Sequence, residues 1–372
     1  MRAGTRWLSR PLPPLRDWFV EIGNLRVAAS GYMAQWVDGP AGGWLRPHRR
    51  GAATFGAAPG ALGLVMIKQW AKDKIGAAAG LLPWGVREAL LDGLVRRAGG
   101  EGVVMGRLAK RIGIIAVVAD GEFGRFSSAP QDETVIRRYA ASGRFSPRND
   151  AFFQTFFGDR GGTYLDLGAN IGLTVVPIAR NPRIRCIAFE ADPTNFANLR
   201  ENVRRNANND VELHQIALFD RRTTLQFGLD ASSNPGDHRV VTSGSQRKTI
   251  DVAAAPLDDL VKQTAGPLAA KIDVQGAEPF VILGGRRTLA KVEALAMEFA
   301  PHHMAQLKAD ESVVLDYLAG FARIAIRSGE SDDELIFRQP SEAVPTLRQF
   351  FSEASPDETR YLDVYALRAP MS

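Results

Sequence analysis

The second half of the chain alternates between short apolar runs and longer amphipathic segments, and this alternation constrains the fold more than any other feature. The runs TYLDLG, IRCIAFE, LAAKIDV and ALAMEFA have the length of buried strands, and segments with helical spacing of apolar residues follow them. Repeated strand–helix units predict a mostly parallel sheet with helices on both faces. The last two apolar runs, ARIAIRS and YLDVYALR, lack a long helical pattern between them, which predicts an antiparallel edge strand.

Composition changes near residue 150, and we expect two parts. Residues 1–110 are rich in Gly, Ala and Arg and predict a basic, mainly helical extension, with its clearest helix at Trp84–Gly99. Residues 111–372 predict the main domain, with its core at residues 160–330. Hydrophobic residues make up 45% of the chain and charged residues 23%, the mix of an ordinary globular protein.

The first 50 residues carry more arginine than acid, and such an arm can contact a membrane surface or a polyanion. A solvated basic tail explains the same pattern. The single cysteine, Cys186, cannot form an intrachain disulfide, and its apolar neighbours predict a buried strand residue. Pro59 interrupts the longest uncharged run, Gly51–Ile67, so no membrane span is predicted. The segment PLPPLRDWFVEIGNL breaks the apolar core that a secretory signal needs, and a cytoplasmic protein is expected.

The stretch YLDLGANIGLTVV places an acid and two glycines at the end of a predicted buried strand. In doubly wound sheets, ligands bind outside the carboxyl ends of the strands. Gly168 and Gly172 allow a tight turn and a close approach of the backbone to a ligand. The spacing differs from the G-x-G-x-x-G that cradles a pyrophosphate, and Asp166 suits a cationic ligand such as the sulfonium of S-adenosylmethionine better than a diphosphate.

Glu190 ends the next predicted strand, where an acid can accept hydrogen bonds from two ribose hydroxyls. A nicotinamide-dependent oxidoreductase would use the same glycine turn and Glu190. The absence of G-x-G-x-x-G and the presence of Asp166 disfavour that alternative. The purely structural interpretation is a glycine-rich turn beside a surface glutamate.

Three blocks of sequence resemble the FkbM family of class I S-adenosylmethionine-dependent methyltransferases. They are YLDLGANIGLT, AFEADPTNFANLRENVRRN and LDDL…KIDVQGAEPFVILGG, in this order, within a match of about Asp120 to Arg368. Gln275 stands where the family commonly has an acid. The resemblance implies a Rossmann-like α/β fold with a seven-stranded sheet and S-adenosyl-L-methionine as methyl donor. It also implies O-methylation of a sugar, glycan or polyketide-like acceptor.

The resemblance implies a set of cofactor-binding residues at the strand ends. The set comprises Asp166, Gly168, Asn170 and Gly172 at the methionine end, Glu190 at the ribose, Asp192 and Ala217 at the adenine, and Asp273 at the sulfonium or acceptor. Asp192 serves equally well as the N-cap of the following helix. Lys271 lies two residues before Asp273 on the same strand face, and a structural ion pair with a carboxylate is favoured for it.

Methyl transfer from a sulfonium needs an aligned acceptor oxygen and a group that removes its proton. The candidate bases are His238, Asp273, Glu278, His302 and His303. Glu278 could equally cap a helix. His238 lies in a polar loop in which Asn234, Asp237 and Arg239 are expected to bind the acceptor. No metal-ligand spacing is recognised, and a divalent ion on a diol acceptor is the alternative.

Other functions find less support in the sequence. A methyltransferase acting on another acceptor class would share the cofactor motifs. A nucleic-acid methyltransferase is supported only by the basic arm, so no nucleic-acid partner is expected. A non-enzymatic scaffold is disfavoured by the intact acid and glycine positions. The sequence leaves the acceptor and the oligomeric state open.

Overall fold

The computed structural model describes residues 114–230, 234–242, 244–328, 334–354 and 360–369, together with four short strands nearer the N-terminus. These are β1 (Phe19–Ile22), β2 (Leu25–Ala29), β3 (Ala34–Val37) and β4 (Trp44–Pro47). The chain divides into two compact units, one of Met1–Trp18 and Ala29–Ile115, the other of Phe19–Ala28 and Ala116–Ser372. The helix predicted at Trp84–Gly99 lies outside the described residues, and the domain boundary at residue 110 stays a prediction.

The further strands are numbered in chain order. They are β5 (Ile114–Gly121), β6 (Gly124–Ser128), β7 (Gly162–Leu167), β8 (Ile184–Glu190), β9 (Val211–Gln215), β10 (Ala217–Leu218), β11 (Thr223–Leu229), β12 (Arg239–Val240), β13 (Lys248–Ala255), β14 (Leu268–Ile272), β15 (Ala294–Phe299), β16 (Arg323–Arg327) and β17 (Leu362–Leu367). Among the described strands, β3 and β4 form a hairpin, and the others nearer the N-terminus form a sheet of order β1-β2-β5-β6. Most of residues 1–110 lie outside the described residues, so the mainly helical extension stays a prediction.

The helices follow the same numbering. They are α1 (Val135–Ser142), α2 (Pro147–Phe157), α3 (Val175–Ala179), α4 (Pro193–Asn206), α5 (Leu257–Leu260), α6 (Glu278–Gly284), α7 (Arg286–Leu289), α8 (Pro301–Gln306), α9 (Ser312–Ala319) and α10 (Pro340–Ser352), with a short 3₁₀ turn at Pro235–Asp237. None of the described helices is long and apolar enough to cross a membrane.

The central sheet has seven strands in the order β16-β17-β15-β14-β7-β8-β9, which confirms the expected α/β fold. All its strands are parallel except β17, which pairs antiparallel with both β15 and β16. The predicted antiparallel strand therefore lies one position inside the edge. The chain runs outward from β7 to β9 and then returns to β14 beside β7. Strand order reverses between β7 and β14, where the strand ends leave a crevice for a ligand.

A second, smaller sheet of order β10-β13-β11-β12 is inserted between β9 and α5. Its strands β11 and β13 pair antiparallel along their full length, from Thr223 opposite Ala254 to Leu229 opposite Lys248. The polar loop that contains His238 lies between these two strands, β11 and β13. The described part of that loop is where the predicted acceptor-binding residues lie.

The core fills both faces of the central sheet, and Cys186 is buried in β8 as predicted. One buried polar residue, Asn202 on α4, ties the core to the glycine-rich turn. Its side-chain Nδ2 donates to the carbonyl of Ile171 at 2.8 Å and to that of Ser127 at 2.9 Å, and its Oδ1 accepts the amide of Ser127 at 2.8 Å. These bonds fix the turn after β7 against α4 and β6.

The helix α10 was missed by the sequence interpretation, which expected no long helix between the last two strands. It begins with Pro340 and contains Pro345, and proline inside a segment argues against a helix. Burial of Ala343 and Leu347 against the core stabilises it nonetheless. The segment AEPFVILGGRRTLAKV forms two helices, α6 and α7, with Gly285 between them.

Candidate active site

The turn after β7 depends on glycine at two positions. Gly168 has a φ of 92° and Gly172 a φ of 94°, a backbone region that residues with a Cβ rarely adopt. A Cβ on Gly168 would also collide with the carbonyl oxygen of Asp273 at the end of β14. The glycine spacing in the sequence thus allows the two strand ends to approach closely.

Asp166 lies beneath this turn rather than beside a ligand. Its side chain is fully buried, and its Oδ2 accepts a hydrogen bond from the Thr174 hydroxyl at 2.6 Å. Its Oδ1 lies 3.7 Å from the Lys271 ammonium, and the residue lines neither of the cavities described below. Burial raises the pKa of Asp166 above its usual value. The expected contact with the methionine end is therefore corrected: Asp166 positions Thr174 and Lys271.

Lys271 joins the ends of β7 and β14. Its ammonium donates to the carbonyl of Gly168 at 3.1 Å and lies 3.1 Å from Oδ2 of Asp273, which confirms the predicted ion pair. Burial opposes the charged form, but the carboxylates of Asp273 and Asp166 outweigh it and raise the pKa of Lys271. The lysine therefore stays charged at neutral pH and neutralises the acids around it.

Two cavities open at the carboxyl ends of these strands. The larger has a volume of about 510 Å³ and the smaller about 70 Å³. Both are lined by the same five residues where they meet: Gly168, Asn170, Gly236, Asp273 and Gln275. The junction therefore lies at the switch point of the central sheet, between the ends of β7 and β14.

The smaller cavity contains the predicted ribose and adenine residues, Glu190 and Ala217. Glu190 Oε2 accepts the amide of Asn170 at 2.8 Å, and its Oε1 accepts the amide of Asp192 at 2.8 Å. These bonds hold the carboxylate at the cavity wall. Burial is the main reason that the pKa of Glu190 rises to about 7. The aromatic ring of Phe227, from the inserted sheet, completes the apolar side.

Asp192 is the N-cap of α4, where its Oδ1 accepts the amides of Thr194 and Asn195 at 2.8 Å each. Its Oδ2 lies 3.2 Å from Nδ1 of His238. Burial alone would raise the pKa of Asp192, but the bond to His238 and the two amides lower it overall. Asp192 lines neither cavity, so the N-cap interpretation is the one that the structure supports.

His238 lies in the smaller cavity and not in the larger one. The loop before it folds onto α4, because the Asn195 side chain donates to the carbonyl of Pro235 at 2.9 Å. The role of His238 as the general base stays a prediction. The histidine sits on the side of Glu190 and Ala217.

The larger cavity is lined by the predicted acceptor-binding residues Asn234, Asp237 and Arg239, and by His302 and His303 of α8. The structure adds lining residues that the sequence interpretation did not name as site residues: Arg138, Arg247, Gln275 and Glu298. Glu298 lies near the carboxyl end of β15, and this position was a sequence signal that could have identified it. Arg138 and Arg247 carried no such signal.

Gln275 connects the two acids at the floor of the larger cavity. Its side-chain Nε2 donates to Oδ1 of Asp273 at 2.8 Å and to Oε1 of Glu298 at 2.9 Å. Burial and the nearby charges of Asp273, Glu278 and Asp363 raise the pKa of Glu298 well above its usual value. Burial and these neighbouring acids therefore favour the protonated form of Glu298.

Glu278 does not reach either cavity. Its fully buried side chain accepts the amides of Val274 at 3.1 Å and Gly276 at 3.2 Å. Burial raises its pKa to about 7. The prediction of Glu278 as a catalytic base is therefore corrected, because the residue holds the loop between β14 and α6.

The two histidines of α8 differ in their surroundings, although their ring centroids are only 3.8 Å apart. His303 Nε2 accepts a hydrogen bond from Nη1 of Arg239 at 2.6 Å. Burial and the charge of Arg239 lower the pKa of His303 to about 2, so its ring is neutral. His302 is 5% exposed and lines the larger cavity. No group of three or more His, Cys, Asp or Glu in the described part of the chain could hold a metal ion.

Comparison with known proteins agrees with the resemblance noted in the sequence. Residues 166–324 match the family model of the methyltransferase FkbM domain. The 2-O-methyltransferase NoeI of Sinorhizobium fredii is 28% identical over 180 residues, which cover 43% of this chain and 72% of NoeI.

Solved structures resemble the chain more distantly. The precorrin-6y C5,15-methyltransferase of Geobacter metallireducens has a TM-score of 0.32 and 10% identity, and the match covers 65% of this chain and 94% of that one. M. jannaschii TYW2 in complex with AdoMet has a TM-score of 0.31 and 12% identity, over 68% of this chain and 87% of that one. Likenesses of this degree support no inference about the site.

Proposed function

We propose that the chain transfers a methyl group from S-adenosyl-L-methionine to a hydroxyl of a sugar, glycan or polyketide-like acceptor. The match of residues 166–324 to the family model of the methyltransferase FkbM domain supports methyl transfer as the reaction. The observation that carries the proposal is the meeting of the two cavities at Gly168, Asn170 and Asp273. Transfer between two bound molecules requires such adjoining sites. The name of the relative NoeI, a 2-O-methyltransferase, supports oxygen as the methylated atom.

The residues of the smaller cavity fit the adenosine part of this donor. Glu190 presents a carboxylate at the end of β8, where ribose hydroxyls can donate to it. At the junction, Oδ1 of Asn170 is buried and has no hydrogen-bond partner among the described residues. A buried acceptor without a partner is costly, and the donor's ammonium group would satisfy it. S-adenosylmethionine supplies a methyl carbon activated by a positively charged sulfur.

The chain's own task is then to orient the acceptor, exclude water and remove one proton. The carboxylate of Asp273 is held by Lys271 and Gln275 at the junction and orients the acceptor hydroxyl. We assign the proton transfer to His302, which lines the larger cavity and whose side-chain type suits base chemistry near neutral pH.

Replacing His302 with glutamine tests this assignment. We expect kcat to fall about 100-fold, a usual contribution of general base catalysis, while binding of S-adenosylhomocysteine is unchanged. Labelled methyl transfer to a panel of hydroxylated acceptors gives the rate, and calorimetry gives the affinity. His214→Gln is the matched control, because His214 stacks on Phe189 and lines neither cavity. A folded wild type that neither binds S-adenosylhomocysteine nor transfers label would overturn the proposed function.

The affinity for S-adenosylhomocysteine should depend on pH through Glu190. Burial raises the pKa of Glu190 to about 7 in the free protein, and hydroxyl donors favour the ionised carboxylate. Binding therefore lowers this pKa. The affinity is highest above pH 7, and below pH 7 it decreases with a slope that approaches tenfold per pH unit. Calorimetry between pH 5.5 and 8.5 measures the profile. A profile that is the same in Glu190→Gln would assign the titration to another group.

A further inference from the structure

Two arginines stand side by side on the wall of the larger cavity that the inserted sheet provides. Arg239 begins β12 and Arg247 precedes β13, and both pair with the carboxylate of Asp237. Arg247 Nη1 also donates to the backbone carbonyl of Asp237 at 2.7 Å. The side chains of Arg239 and Arg247 are 11% and 22% exposed, so both guanidinium groups are fixed in place and partly shielded from solvent.

The remaining contacts of Arg239 are with uncharged groups on α8. Its Nη1 donates to the neutral ring of His303 at 2.6 Å, and its Nη2 donates to the side-chain oxygen of Gln306 at 3.2 Å. Asp230 lies close enough to act on the charge of Arg239. Asp230 does not line the cavity, and its Oδ2 accepts the amide of Asn234 at 3.0 Å. On the cavity wall itself, two guanidinium groups therefore face one carboxylate.

The other charged residues of the larger cavity do not cancel this excess of positive charge. Lys271 and Asp273 neutralise each other at the junction, 3.1 Å apart. Even with Glu298 ionised, the cations of the lining outnumber its acids: Arg138, Arg239, Arg247 and Lys271 against Asp237, Asp273 and Glu298. Arg138, at the α1 side, adds a third guanidinium to the lining. The wall away from the junction is thus positively charged, and the charge lies on groups that recognise oxyanions.

Both guanidinium groups retain hydrogen-bonding capacity. A guanidinium has five N–H donors in a planar fork. Within the described residues, Arg247 uses its two terminal nitrogens on Asp237, and Arg239 uses its own on Asp237, His303 and Gln306. Donors remain on each group, and both groups line the cavity. Planar forks of this kind bind carboxylate and phosphate oxygens in a bidentate manner.

We infer that the acceptor carries an anionic group, a carboxylate or a phosphate, which Arg239 and Arg247 bind while its hydroxyl lies at Asp273 and His302. The inference rests on the proposed function and names the substrate class of that site. It explains why two arginines line the same cavity. Guanidinium groups only donate hydrogen bonds, whereas the hydroxyls of a neutral polyol both donate and accept them. The alternative is that the Arg239–Asp237–Arg247 cluster only fastens the inserted loop.

Three sugars that differ in charge test the inference on protein saturated with S-adenosylhomocysteine. Glucose, glucuronate and glucose 1-phosphate are titrated by calorimetry into the wild type, Arg247→Gln and Arg222→Gln. Arg222 is the matched control, because it belongs to the same inserted region, pairs with Asp259, and lines neither cavity. We expect at least one anionic sugar to bind about tenfold more tightly than glucose, as one charge-assisted contact provides. Arg247→Gln should abolish that preference and Arg222→Gln should keep it.

The outcomes separate the inference from the proposed function. The inference is overturned if the wild type binds all three sugars with equal affinity or binds none of them. This result does not depend on whether the variants fold. The inference is also overturned if folded Arg247→Gln still prefers the anionic sugar. The Arg239–Asp237–Arg247 cluster then serves only to hold the inserted loop in place. The anion that is preferred distinguishes a carboxylate from a phosphate. Binding of S-adenosylhomocysteine, measured before each titration, tests the proposed function independently.

Discussion

Replacement of Glu190 by glutamine is expected to weaken binding of S-adenosylhomocysteine about 100-fold, which corresponds to about 2–3 kcal/mol for lost hydrogen bonds to a buried charged group. The carboxylate of Glu190 already accepts the amides of Asn170 and Asp192, and each of its oxygens can accept a further bond from a ribose hydroxyl. Glutamine has the same shape but offers one acceptor oxygen, and its NH₂ group would face an amide N–H. The substitution would therefore weaken both the contact with the ribose and the hydrogen bond that holds the turn at Asn170.

Calorimetry measures the affinity of Glu190→Gln for S-adenosylhomocysteine, and thermal unfolding measures its stability. Glu212→Gln is the matched control, since Glu212 lies on the neighbouring strand β9, is 40% exposed, and lines neither cavity. Unfolding in the absence of ligand separates loss of the ribose contact from loss of the fold. If folded Glu190→Gln binds S-adenosylhomocysteine as tightly as the wild type, the smaller cavity does not hold the adenosine.

Replacement of Lys271 by methionine is expected to lower the free energy of unfolding by about 3–5 kcal/mol, the cost of removing one partner from a buried ion pair. The lysine side chain is 8% exposed and lies between the carboxylates of Asp166 and Asp273. Without the ammonium, two acids would face each other near a fully buried site. The carbonyl of Gly168 would also lose its donor.

Denaturant unfolding at pH 7 measures this change, with Lys291→Met as the control because Lys291 is exposed. Addition of Asp273→Asn to Lys271→Met should recover part of the lost stability, since one of the unpaired charges is then removed. A loss below about 1 kcal/mol in Lys271→Met, as at a surface ion pair, would mean that the cluster is solvated.

Acids at strand ends were easy to find in the sequence, but their roles were not. Glu190 and Asp273 line the cavities, whereas Asp166 and Glu278 lie beneath the turns that form the cavity walls. All four have the same local signature, an acid next to a glycine turn or a helix start. Whether such a carboxylate reaches a cavity depends on which layer of the packed structure covers it. The residues on either side of it in the chain do not contain that information.

The lining of the larger cavity was the least predictable part of the site. Arg239 contacts His303 across 64 positions of sequence. Arg247 joins them because the inserted sheet folds over the carboxyl ends of the central strands. His238, nine positions before Arg247 and next to Arg239, lines the other cavity. Neighbouring residues of one loop thus serve different cavities, and no spacing rule in the sequence predicts that division.

The sequence by itself determined the elements and the turn chemistry. Strand and helix periodicity, the N-cap at Asp192, and the glycines of positive φ at 168 and 172 all depend on contacts within a few residues, so local patterns predict them. Only the tertiary structure decided which strand ends meet. Lys271 reaches the carbonyl of Gly168 across 103 positions because β14 returns beside β7. Packing of the whole core selects that strand order, and with it the junction where a methyl group would be transferred.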